Sequence, residues 1–209
     1  MSQTITFSQG AYVIDTDTAK PGTNDLAVTN TIYKSAGTTK PAYLLQNFGN
    51  STITGLNLEG QNSGASGLNV SVRSSSDASK PTVATSQFNF GNSNDFLVIG
   101  SSSGNTVNMG SGDDSINVNY ASTGDSYNTG QGRDTVIFGG NISNTGVNLG
   151  SDVIRDVVRL AQGATITGLV ISGADSSDVL FIGTTQYNYN SSDNSWINST
   201  NPNDKKTFS

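Results

Sequence analysis

Asp114 and Asp134 occupy matching places in two glycine-rich loops, Met109-Gly-Ser-Gly-Asp-Asp114-Ser-Ile-Asn117 and Thr129-Gly-Gln-Gly-Arg-Asp134-Thr-Val-Ile137. Carboxylates on repeated tight loops can do three kinds of chemistry. They can ligate a hard cation, which takes oxygen donors. They can act as an acid and base pair at a glycosidic bond. Or they can accept hydrogen bonds from amides of their own turns, while the glycines supply positive φ at the corners. The adjacent pair Asp113 and Asp114 makes a poor glycosidase couple, because neighbours on a tight loop do not face each other across a substrate. The chain has no His and no Cys, and its only Glu is Glu59. The commonest general base, the commonest metal ligand, every Ser-His or Cys-His pair and any disulfide are therefore excluded. No catalytic residue is assigned, and the chain is not expected to be an enzyme.

The elements that must position these loops show in the apolar residues. Leu97, Val107, Ile116, Tyr127, Val136, Val147 and Val158 follow one another at intervals of 9 to 11 residues, and alternate members lie 19 to 22 apart. Each follows a turn-forming stretch. This periodicity predicts a chain coiled into stacked turns, with two short strands per turn. Composition agrees. Ser, Thr and Asn supply 78 of the 209 residues, and fifteen of the sixteen carboxylates are Asp, a turn former. Long helices are disfavoured by such side chains, which compete for backbone hydrogen bonds.

The expected fold is all-β, a β-solenoid with an irregular β cap at the N-terminus and a hairpin at the C-terminus. Residues 1–48 form the cap or arm, with strand candidates Thr4–Phe7, Ala11–Ile14, Thr31–Tyr33 and Tyr43–Leu45. Residues 49–183 form the body. Within it, Thr52-Ile-Thr-Gly-Leu-Asn-Leu58 is echoed by Thr165-Ile-Thr-Gly-Leu-Val-Ile171. Ser74 to Lys80 read as a projecting polar loop. Residues 184–209 form a hairpin, with Tyr189 and Trp196 as cross-strand partners, and then a polar tail. Such a tail is expected to be disordered unless a partner holds it.

The two glycine-aspartate loops resemble the RTX nonapeptide repeat, with Met109 and Thr129 standing where that repeat has its first glycine. Phe90-Gly-Asn-Ser-Asn-Asp95-Phe-Leu-Val98 keeps one glycine and the aspartate. The resemblance implies a parallel β-roll in which calcium, held by Asp114 and Asp134, sits between loops one turn apart. The family uses tandem nonapeptides, whereas here the intervening half-turns lack the aspartate loop. Structural turns without any cofactor are the competing expectation.

Net charge is −6, and the ten Lys and Arg form no cluster, which argues against nucleic acid. There is no apolar run of about 18 residues, so no membrane span is expected. The first residues lack the basic and apolar regions of a secretory signal. Arg133, Arg155 and Arg159 lie close to Asp134, Asp152 and Asp156 in sequence. They form either a solvated edge of small ion pairs or an interface. In composition and architecture the chain resembles capsid-decoration (cement) proteins of phages. That resemblance implies a homotrimer on a virion, with the major capsid protein or another virion protein as partner. The alternative is an extracellular, calcium-binding RTX-like protein or adhesin. Thr52/Thr54 and Thr165/Thr167 are too few Thr-any-Thr pairs for an ice-binding lattice.

Overall fold

A computed structural model describes residues 3–7, 11–15, 31–35, 42–46, 52–59, 67–73 and 82–209. Ser115–Val118 shows how a turn begins. Ile116 and Val118 point inward while Ser115 and Asn117 face out, as the period of two requires. The same strand on the next turn, Thr135–Phe138, pairs with it parallel and in register. Each apolar residue therefore stacks on its counterpart. Leu97, Ile116, Val136, Val158 and Leu180 form one interior column. Phe88, Val107, Tyr127, Val147 and Ile171 form another.

The result is an all-β solenoid; among the described residues every element is a strand. Three sheets run along it. The first holds eight strands, from Gln3–Phe7 to Val170–Ser172, and the second eleven, from Ala11–Asp15 to Lys205–Lys206. The third holds six, from Thr52–Thr54 to Ile166–Thr167. A turn of the body thus contains three strands, not two. Ser115–Val118, Ser122–Thr123 and Ser126–Asn128 make one such turn. The third strand escaped the apolar periodicity because its inward residue is Ser102 in one turn and Ser122 in the next.

The strand candidates of the first 48 residues all fall within strands. Gln3–Phe7 and Thr31–Ser35 lead the first sheet, and Ala11–Asp15 and Ala42–Gln46 lead the second, parallel and in register with the body. The sheets are continuous across residue 48. The polar loop expected at Ser74 to Lys80 lies outside the described residues. The echoed heptads occupy equivalent places, crossing from the third sheet to the first at opposite ends of the body.

At the C-terminal end the pairing turns antiparallel. Val179–Ile182, Thr185–Asn190, Ser195–Asn198 and Lys205–Lys206 follow one another in the second sheet. Tyr189 pairs with Trp196, their ring centroids 5.1 Å apart. Tyr187 and Trp196 are buried in the core, and Phe208 packs against it. The tail is held by its own chain. Ile171 N donates to Phe208 O at 3.1 Å, and Asp204 Oδ2 accepts from Tyr187 Oη at 2.8 Å and Asn198 Nδ2 at 3.0 Å. The tail ties the last strands of two sheets together and shields apolar surface that an open end would expose.

Candidate functional site

The chain turns from the first sheet into the second through the glycine-aspartate loops, which stack as the strands do. Gly110, Gly130 and Gly150 all have φ between 88° and 100°. A Cβ on Gly130 would lie 1.8 Å from Gly110 O, so close stacking and positive φ both demand glycine there.

Inside this corner runs a ladder of five aspartates. Asp95 N donates to Asp114 Oδ1 at 2.6 Å, and Asp114 N to Asp134 Oδ1 at 2.8 Å. Asp134 N donates to Asp156 Oδ1, and Asp156 N to Asp178 Oδ1, both at 2.8 Å. Leu68 N closes the series on Asp95. Each carboxylate thus satisfies the corner amide of the neighbouring turn, which the strand pairing leaves unpaired. Asp114 is 3% exposed and Asp134 0%. The second oxygen of each, Oδ2, is buried without a hydrogen-bond partner.

These carboxyls resist ionisation. Burial pushes Asp95 and Asp134 up to about 6, against backbone amides that pull the other way. Burial, together with the neighbouring ladder carboxylates, pushes Asp114 and Asp156 up to about 8. Burial raises Asp178 as well, with Asp175 and Asp152 adding to it.

The corner between the third and first sheets carries a second ladder, of mixed composition. Leu56 N donates to Ser86 Oγ at 3.0 Å, Ser86 N to Asn105 Oδ1 at 2.9 Å and Asn105 N to Asp125 Oδ1 at 2.8 Å. Here both sides of the carboxamide are used, since Asn105 Nδ2 donates to Val83 O and Ser102 Oγ, each at 2.7 Å. Asp125 Oδ2 accepts from Ser122 Oγ at 2.6 Å and Thr123 N at 3.0 Å. The buried Tyr127 hydroxyl donates to Ser102 Oγ at 2.9 Å. Asp125 is fully partnered where Asp114 and Asp134 are not.

No family model, curated protein or solved structure matches the chain. Its site therefore rests on its own geometry. Asp114 and Asp134 do come together as loops one turn apart, facing inward. Their Oδ1 atoms are committed to backbone amides, so the pair offers two free oxygens. Among the described residues no group of three or more His, Cys, Asp or Glu is arranged to hold a metal. Asp113, exposed, accepts Arg133 N on Oδ1 at 2.9 Å. Arg159 lies over the Phe181 ring at 4.2 Å on the outer face of the second sheet. Arg133 and Arg155 stand exposed on the outer corner.

Asp95 was read from sequence only as the aspartate of a weaker nonapeptide loop, and Asp156 and Asp178 were assigned no part in a site, yet all three complete the ladder. Their signal was present. Each stands two residues before an inward apolar residue, as in Asp95-Phe-Leu97, Asp156-Val-Val158 and Asp178-Val-Leu180. Thr52/Thr54 and Thr165/Thr167 occupy opposite ends of the third sheet. Between them its outward positions carry Thr82, Ala84, Ser101, Ser103, Thr123 and Ser143.

Proposed function

We propose that this chain is a non-enzymatic structural protein, of the capsid-decoration type, that stabilises a viral shell through homo-oligomeric contacts. The observation that carries this reading is the combination of stacked parallel sheets with two interior polar ladders. In such a rod each turn's backbone is satisfied by the next, and rigidity does not depend on a large apolar core. Flat faces built by stacking suit side-by-side contacts in symmetric assemblies. The composition, rich in Ser, Thr and Asn and free of Cys and His, supports the virion setting by resemblance. Its partner would be the major capsid protein or another virion protein. The test is co-sedimentation with assembled shells of the capsid protein encoded beside it. Saturable recovery with the shells supports the reading; recovery only in the soluble fraction overturns it.

One observation favours a second reading, a calcium-binding RTX-like protein or adhesin. Asp114 Oδ2 and Asp134 Oδ2 are buried acceptors with no donor, on adjacent turns. Calcium takes roughly six to eight oxygens, so these two alone do not make a calcium site. On this reading millimolar calcium raises the melting temperature, and Asp114→Asn with Asp134→Asn abolishes the rise. No shift with calcium removes it.

A further inference from the structure

We propose that the outer corner carrying Asn94, Asp113, Arg133 and Arg155 is a two-fold interface, onto which a second copy of this chain docks antiparallel. The inference rests on the structural reading above and names one of its homo-oligomeric contacts. Each of these residues directly precedes a ladder aspartate, so the ladder hydrogen bonds place them in one column, one residue per turn. Asp113 N donates to Asn94 Oδ1 at 2.9 Å, and Arg133 N to Asp113 Oδ1 at 2.9 Å, which holds the lower part of the column together. All four are exposed. The ion pairs of Lys205 with Asp193 and Lys206 with Asp204 lie in the tail, and among the described residues neither Arg133 nor Arg155 makes one within its own chain. Arg133 and Arg155 sit on adjacent turns, so two like charges neighbour each other in a chain of net charge −6.

Beside Arg155 the corner loop is two residues longer than on the neighbouring turns, and the extra residues stand out from the surface. Asp152 anchors the loop, accepting Ile154 N on Oδ1 at 2.7 Å and Gly132 N on Oδ2 at 2.9 Å. Ser177 Oγ adds a bond to Val153 O at 3.3 Å. Val153 is 86% exposed and Ile154 42%, on a loop tied at its base. Three turns away on the same corner, Phe96 is 40% exposed.

One symmetry operation satisfies all these groups. Parallel docking would set Asp113 against Asp113 and Arg133 against Arg133. A two-fold axis perpendicular to the column, passing between the turns of Asp113 and Arg133, sets each Asp113 against Arg133 of the second copy. The same axis brings the turn of Asn94 opposite the turn of Arg155. Val153 and Ile154 then overhang the turn of Asn94 in the second copy, Phe96 faces the second copy's Val157, its register mate three turns on, and every contact occurs twice. Arg and aromatic anchors are what interface centres favour. The order this contact sets is two, where the sequence suggested a homotrimer.

The test is sedimentation of the whole chain over a range of concentration and salt. A dimer that weakens with salt is expected. Arg133→Asp or Asp113→Arg alone raises the dimer Kd by about a hundredfold, because each like-charge contact occurs twice. The double exchange restores most of the affinity; Arg133→Asp leaves melting of the monomer unchanged, and variants with Asp113→Arg lower it only by the loss of the exposed Arg133 N to Asp113 Oδ1 bond. The chain has no native Cys, so an Asn94→Cys, Arg155→Cys variant reads the orientation directly. Within one copy these positions are three turns, about 14 Å, apart, beyond disulfide reach. Oxidation should join position 94 to position 155 between copies. A monomer at every concentration, insensitivity to the charge reversals, or links between identical positions overturns the proposal. If a monomeric variant still binds shells, only this interface falls. If a dimer binds no shell, only the structural role falls.

Discussion

Raising the pH from 3.8 to about 8 is expected to weaken the fold through the aspartate ladder. Asp95, Asp114, Asp134 and Asp156 have folded-state pKa values above the ordinary 3.8. Below 3.8 both the folded and the unfolded chain keep these protons, and the ladder makes its full contribution to stability. Above 3.8 the unfolded chain releases them first, so stability falls as pH rises and the loss is complete above the folded values. One pKa unit corresponds to about 1.4 kcal/mol. Taken as independent, Asp114 and Asp156, each pushed up to about 8, would lose about 6 kcal/mol each, and Asp95 and Asp134, at about 6, about 3 each. That total exceeds the whole stability of a typical domain, about 5–15 kcal/mol. Neighbours one turn apart must therefore share protons, and solvent beside the corner loops screens part of the charge. The observable loss is a fraction of that sum, on the order of a few kcal/mol, which for a domain of this size is a fall of about 10 °C in Tm. Thermal melts followed by circular dichroism at a series of pH values measure it. The control is Asp114→Asn with Asp156→Asn, which keeps the Oδ1 acceptors and removes the ionisable groups. Asn105 shows that the carboxamide can occupy such a rung. The double variant should melt higher than the parent at the alkaline end and show a much flatter profile. Asp113→Asn, which removes one carboxylate from the exposed corner, should flatten the slope only slightly, since Asp113 is the smallest of the causes that raise Asp114 and Asp134. A parent Tm that is flat or rises across this window would refute the reasoning.

Gly130→Ala should cost at least about 4 kcal/mol in urea unfolding, since its Cβ would meet Gly110 O at 1.8 Å. Gly124→Ala, with φ +66° but nothing within 4 Å, should cost only about 1 kcal/mol by the same measurement. Trp196→Ala should destabilise by about 3–5 kcal/mol, and the amide of Ile171 should exchange faster in deuterium oxide once Phe208 is no longer held beside it. Asn105→Ala leaves Ser86 N without its partner and takes the side-chain donor from Val83 O, and should cost about 2–3 kcal/mol in chemical denaturation, with no added pH dependence.

The stacked solenoid was legible because the inward residues are apolar and recur at the turn length. Ile116 over Val136 is a pattern that strand alternation alone makes visible. The closing hairpin was legible for a similar reason, with Tyr189 and Trp196 flanking a turn-forming run. The third sheet was not legible, because Ser102 and Ser122 point inward yet look like loop residues. Their burial makes sense only once Asn105, Asp125 and Tyr127 supply the hydrogen bonds. The tail from Thr200 onward was equally opaque. Lys205, Lys206 and Asp204 look like a solvated terminus until the edge of Ser195–Asn198 gives them a strand to join. At the candidate site, Asp114 and Asp134 were found by their glycines. The inward aim of their carboxyls was hidden, because a short loop can present the same side chain to solvent or to the core.

By itself the sequence determined that this chain stacks, and roughly at what interval. Periodicity of apolar residues is a local property, and burying them demands neighbours one turn away. Only the tertiary structure decided which way the aspartates face, and therefore that each satisfies the backbone of the turn beside it. It alone placed Asp113, Arg133 and Arg155 in one outer column. Those arrangements depend on register between strands some 20 residues apart, and register is set by the packing of the whole stack.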